Sequence, residues 1–289
     1  MPIPLLLVLV AAMTIHGHQR PRTFDEVAAM PGRAPDARVA YGEAPDQFGE
    51  LRVPAGAGPH PVIVLIHGGC WRAAYDMGHV RALATALADE GYAVWAIEYR
   101  RVGSDGGGWP NTFLDVGRAV DHLRTLATPY HLDLATAAFV GHSAGGHLAL
   151  WAASRTLLPA DAPVATANPF MPAVVVGLAA ITDLDAYASA SGCGSAVVPL
   201  MGGPATVVGD RYAAGSPVRL PTPVPTTLIV GTADAIVPRS QADAYTAAAG
   251  TRVTVRVIDG AGHFDVIAPD GAAWDALRAA LSRVRPSPS

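Results

Sequence analysis

Residues 141–146 read Gly-His-Ser-Ala-Gly-Gly. A short apolar run, Ala138 to His142, leads into Ser143, and a helix-forming stretch, His147 to Ala153, begins almost at once. A serine on so sharp a strand-to-helix turn has a strained backbone, and its Oγ is pushed above the neighbouring strands. The strand and the helix then approach too closely for a Cβ two residues before or after the serine, and Gly141 and Gly145 meet that demand. The new helix also aims its first amide dipoles at the serine, which favours an anionic intermediate there. The chemistry that fits is nucleophilic attack on a carbonyl.

Such an attack needs hydrogen-bond donors where the oxyanion develops, each worth about 3–4 kcal/mol. A second glycine loop, His67-Gly68-Gly69-Cys70-Trp71, ends another aliphatic run. The amides of Gly69 and Cys70 are its candidate donors, and the Ala144 amide directly follows the nucleophile. The attack also needs a base. Of ten histidines, only His263, in Gly260-Ala261-Gly262-His263-Phe264, falls in a loop between the last apolar run and the last helix. His142 and His147 flank the serine but point elsewhere, and His79, His122 and His131 lie on or beside helices, as surface or packing residues do. Cys70 as a nucleophile would require an adjacent base that the sequence does not supply, so a packed, inert thiol is the expectation.

These residues need elements to hold them. Arg38 to Glu43 and Phe48 to Pro54 alternate like a pair of antiparallel strands joined by a Pro-Asp turn. Val62 to His67 is an almost unbroken aliphatic run, as in a strand buried on both faces. Five similar runs follow: Ala93 to Tyr99, Ala138 to His142, Val174 to Ala180, Thr227 to Gly231 and Val253 to Asp259. Helical spacing separates them, as in Val80, Leu83, Ala84 and Leu87, with Gly91 placed for a left-handed C-cap. Val116, Val120 and Leu123 repeat it, with Thr112 and Asp115 as a capping pair, and Trp274, Leu277, Leu281 and Val284 close the chain. The pattern predicts an α/β fold with a mostly parallel sheet of about eight strands and helices on both faces. Right-handed crossovers bring the strand C-terminal ends to one edge, where ligands bind.

The His-Gly-Gly-X-Trp loop, the Gly-His-Ser-Ala-Gly-Gly turn and the acid–histidine ending resemble the HGGxW-type α/β-hydrolases. That group includes small carboxylesterases, carbohydrate acyl esterases and kynurenine formamidase, and is related to the hormone-sensitive-lipase group. The likeness runs from about Arg38 to the C-terminus. It implies an α/β-hydrolase fold, a serine–histidine–acid triad and no metal or organic cofactor. Thr232-Ala233-Asp234-Ala235-Ile236-Val237-Pro238 is similar to the family's acid loop, which makes Asp234 the third triad member ahead of Asp183 and Asp185. The resemblance also gives His67 a loop-orienting role. The chain departs from the HGGG form by placing Cys70 where a third glycine stands, and it lacks a long N-terminal cap.

The 289 residues, 51% hydrophobic and 15% charged, suit a single catalytic domain over 21–289. Residues 182–225 are long for one βα connection, and read either as a small cap or as one helix with long flanking loops. A net charge of −4 without a basic run excludes a nucleic-acid partner, and no obligate membrane partner is implied. Two cysteines, Cys70 and Cys193, allow at most one bridge and no multi-cysteine metal site. Residues 1–20 form an apolar leader with no preceding Lys or Arg, so export through a signal peptide and a cytoplasmic location both stay open. The expected partner is a small-molecule ester, with an arylformamide as the alternative and a binding-only protein on the same fold as a third reading. Trp71, Trp109 and the 182–225 segment are the candidate pocket walls.

Overall fold

The computed structural model describes residues 20–284. Two short strands, β1 (Ala37–Ala40) and β2 (Phe48–Arg52), pair antiparallel. The aliphatic runs then form β3 (His60–Ile66), β4 (Ala93–Ile97), β5 (Leu132–His142), β6 (Val174–Leu178), β7 (Thr226–Gly231) and β8 (Val253–Ile258). One sheet results, in the order β1-β2-β4-β3-β5-β6-β7-β8. β2 meets β4 antiparallel, and every pair from β4 to β8 is parallel.

Every residue of β3 is buried, and its side chains divide between two cores. Val62, Val64 and Ile66 face one, and Ile63 and Leu65 the other. The twofold alternation of a strand does this, and each such side chain stabilises the fold by roughly 1.5–3 kcal/mol.

A short helix, α1 (Phe24–Ala28), precedes the sheet, and α2 (Arg81–Asp89), α3 (Asn111–Asp121), α4 (Leu123–Leu126) and α5 (Ala144–Ala152) cross between strands. α2 stops just before Gly91, whose φ is +94°. Between β6 and β7 stand three short helices, α6 (Leu184–Tyr187), α7 (Val197–Met201) and α8 (Gly209–Gly215). Three helices stand where the second sequence reading expected one, because Pro199, Gly202 and Pro204 break the segment into short pieces. α9 (Ser240–Ala249) and α10 (Gly271–Ala280) complete the chain. α3 and α5 pack into the Val62 core, α2 and α10 into the Ile63 core.

Three differences from the sequence reading have physical causes. Thr112 and Asp115 do not cap α3 as a pair. The Thr112 hydroxyl accepts from Gly108 N–H and donates to the Arg100 carbonyl, while Asp115, fully buried, is held by the Arg100 guanidinium at 2.8 Å and by Gln47 at 2.6 Å. A buried carboxylate must find charged or strong donors before it can serve a helix end. β5 begins six residues early, because Leu132 and Asp133 pair with His60 and Pro61 ahead of a bulge in the ladder. α1 has no apolar periodicity, yet Thr23 and Glu26 form a full capping box at its start. The apolar leader, apart from Arg20, lies outside the described residues.

Candidate active site

Ser143 stands between β5 and α5 with φ +55° and ψ −118°, a backbone conformation that L residues resist. The neighbouring glycines allow it. A Cβ on Gly141 would strike the Gly145 carbonyl, and one on Gly145 would strike the carbonyls of Ile66 and His67. Ser143 is 1% exposed, and its Oγ has no hydrogen-bond partner among the described residues.

His263 follows β8 in a loop and is buried beside the serine. Its Nδ1–H donates to Asp234 Oδ2 at 2.8 Å, which leaves Nε2 as the ring's remaining acceptor. Asp234 follows β7, and its other oxygen accepts the amides of Ile236 and Val237 at 2.8 and 2.9 Å. The carboxylate is therefore fixed by two loop amides as well as by the histidine. Asp183 instead caps α6 by accepting the amides of Asp185 and Ala186, and Asp185 is exposed beside Arg219.

The second glycine loop continues β3. Gly69, Cys70 and Trp71 have φ of +101°, +55° and +53°, three left-handed residues in succession. The amides of Gly69, Cys70 and Ala144 donate to no other group among the described residues. His67 holds the root of the loop: both of its ring nitrogens face acceptors, the Gly68 carbonyl and Glu98 Oε1, each at 2.7 Å. Glu98 also receives Arg101 at 2.9 Å and the amides of Met77 and Tyr99. Burial pushes its carboxyl up, but His67 and Arg101 outweigh that and hold it below the usual range.

A cavity of about 430 Å³ opens over the serine, lined by Gly69, Cys70, Ser143, His142, His263 and Cys193 at its base. Phe24, Tyr75, Ile236 and Phe264 give it an apolar wall, with Asp25 and His79 beside them. Neither Trp71 nor Trp109 lines it, contrary to the sequence reading. Trp71 is fully buried and donates its Nε1–H to His147 Nδ1 at 3.2 Å, and Trp109 packs edge-on against Phe113. From residues 182–225 only Cys193 reaches the cavity.

The expected inert thiol at Cys70 is overturned. Cys70 and Cys193 form a disulfide with Cα atoms 5.1 Å apart. No local pattern could reveal a pairing across a sequence separation of 123 residues. The wall residue Phe24 was likewise missed, although Thr23 and Glu26 carried a readable helix-start signal.

The histidines beside the serine are held neutral. His142 donates Nε2–H to the His263 carbonyl at 3.0 Å, and burial pushes its pKa well below the usual value. His147 donates Nε2–H to the Gly215 carbonyl while accepting from Trp71, and burial lowers it to about 4.

A parallel sheet with an antiparallel edge, a strained serine between strand and helix, and an acid and a histidine after the last two strands define the α/β-hydrolase fold. Residues 51–248 match the family described as BD-FAE, and the chain belongs to that family. It is 36% identical over 96 residues to a probable carboxylic ester hydrolase, LipM, of Mycobacterium tuberculosis. That stretch is 33% of this chain and 22% of the relative, so the match spans less than a quarter of the relative's length. Among solved structures, esterase B from Lactobacillus rhamnosis superposes with a TM-score of 0.75 at 20% identity, covering 90% of this chain and 89% of the other. A truncated carbohydrate esterase from gut microbiota superposes at 0.72 with 21% identity, covering 92% and 99%.

Proposed function

We propose that the chain is a serine hydrolase of small carboxylic esters, in which Ser143 is the nucleophile, His263 the base and Asp234 the acid that orients it. The observation that carries the reading is the 2.8 Å Asp234–His263 hydrogen bond beside a cavity lined by both His263 and Ser143. Ser143 and His263 are not hydrogen-bonded to each other, as is common for catalytic pairs before substrate closes the site.

His263 Nε2 takes the Ser143 proton as Oγ bonds to the ester carbonyl carbon, and the carbonyl electron pair moves onto its oxygen. The amides of Gly69, Cys70 and Ala144 hold that oxyanion. Its collapse breaks the bond to the alcohol oxygen, which leaves with the proton from His263. A water then gives a proton to His263 and attacks the acyl-enzyme, and Ser143 Oγ leaves with that proton as the carboxylic acid departs. These steps call on no metal or organic cofactor.

Residues 21–289 act as one catalytic domain, with α6 to α8 as a small cap. The apolar wall of the cavity suits an uncharged acyl group, and short acyl groups are the proposed substrates. The names of the relatives favour esters over arylformamides.

The test is a fluorophosphonate probe with a panel of p-nitrophenyl esters and formanilide, run on the protein and on Ser143→Ala. Labelling of the Ser143 peptide, with ester turnover lost in the variant, supports the reading. Full turnover in a folded Ser143→Ala protein would overturn it. Faster hydrolysis of formanilide than of any ester would move the substrate to arylformamides.

A further inference from the structure

Cys70 carries one of the proposed oxyanion amides in a run of left-handed backbone. Such a loop keeps its shape only where its surroundings fix it from several sides. On one side Trp71 does so, buried and bonded to His147. On the other the tie is covalent, through Cys193.

The far end of that tie reaches the acid loop. Cys193 N–H donates to the Tyr187 hydroxyl at 3.2 Å, and that hydroxyl donates to the Ile236 carbonyl at 2.9 Å. Ile236 in turn donates its amide to Asp234 Oδ1 at 2.8 Å. Gly192, with φ +76°, lies so close to Ile236 that a Cβ would meet its backbone at 3.0 Å. A second strut runs alongside, from the Arg72 guanidinium to Ser195 Oγ at 2.9 Å.

We propose that the Cys70–Cys193 disulfide and Tyr187 form a positioning cross-link that fixes the oxyanion loop against the loop holding Asp234. The proposal rests on the serine-hydrolase reading above. Oxyanion donors act only when aimed at the oxygen's place in the transition state, so loosening them lowers kcat while ground-state binding persists. The bond forms by thiol–disulfide exchange with a small-molecule disulfide, which takes up the two protons and two electrons the thiols give up and becomes two thiols. A dithiol returns them, leaving two cysteine thiols and its own disulfide.

The experiment uses the full chain with p-nitrophenyl acetate, before and after dithiothreitol, with non-reducing peptide mapping and far-UV circular dichroism as controls. The expected result is a mapped Cys70–Cys193 bond, a fall in kcat of about tenfold on reduction with KM within about twofold, and recovery on reoxidation. Cys193→Ser should start at the reduced rate and ignore dithiothreitol. Tyr187→Phe keeps the disulfide but breaks the link to Ile236, and should lower kcat severalfold at constant KM. It decides the matter alone if reduction unfolds the protein.

Free thiols in fully active protein, or kcat unchanged after complete reduction or in Tyr187→Phe, would overturn the cross-link while leaving the hydrolase reading intact. Turnover surviving in Ser143→Ala would instead strike the hydrolase reading, and the cross-link with it.

Discussion

Asp234 accepts three hydrogen bonds with a side chain only 3% exposed, and just one of them comes from His263. Asp234→Asn keeps the shape but confronts either the loop amides or His263 Nδ1–H with an NH₂ group. Two loop amides demand the carbonyl oxygen, so the NH₂ faces His263 Nδ1, the imidazole is held in the wrong tautomer, and kcat should fall about 10³- to 10⁴-fold with the circular dichroism unchanged. Asp185→Asn, at an exposed carboxylate 3.7 Å from Arg219, should leave kcat within about twofold, since surface pairs contribute little. Gly145→Ala fails differently. Its Cβ meets carbonyls at the end of the central strand, which cannot yield, so the variant should lose more than about 3 kcal/mol in urea unfolding. Gly145 and the strained serine were legible in the sequence because the turn itself dictates those residue types. Cys193 was the one partner the sequence offered Cys70, but whether the two bond was not legible, because tertiary folding alone brings them together.

α1 shows where local pattern runs out. A five-residue helix completes little more than one turn, so no apolar stripe can mark it. Tertiary contacts set its position: Arg22 grips Asp270 through two bonds of 2.7 and 3.0 Å, and its amide reaches the carboxylate of Asp265 just past His263. The Phe24 ring then meets Tyr75 and Phe264 edge-on at 5.4 and 5.8 Å and closes the cavity wall. Phe24→Ala should open that wall. The ratio of kcat/KM for the p-nitrophenyl hexanoate ester to that for the acetate should rise about fivefold or more, because apolar pockets discriminate by roughly 1–3 kcal/mol per methylene. An unchanged ratio in a folded variant would remove Phe24 from acyl selection. The central strands β3, β4 and β6, by contrast, were readable, since burial on both faces leaves no room for polar residues, whereas the polar first half of β5 was not.

Sheet and helices together bury a set of histidines whose number was visible in the sequence but whose burial was not. His79, read as a surface or packing residue, is 3% exposed, and burial chiefly, with His67 nearby, lowers it to about 4. His147 is lowered to about 4, and protonating its Nδ1 would also break the bond from Trp71. Unfolding returns both to an ordinary value near 6.5. As the pH drops below about 6.5 the unfolded chain therefore takes up protons that the folded chain refuses, and stability falls until about pH 4. At pH 5 the two histidines together should cost about 4 kcal/mol relative to pH 7.5, and His142 acts in the same direction. Urea midpoints at the two pH values measure the loss. His147→Gln can preserve both bonds, accepting from Trp71 and donating to the Gly215 carbonyl, yet cannot take up a proton. Its pH 7.5-to-5 difference should shrink by about 2 kcal/mol. A wild-type protein equally stable at both values would mean that folded His79 and His147 take up protons as readily as the unfolded chain does, which would overturn their lowered pKa values.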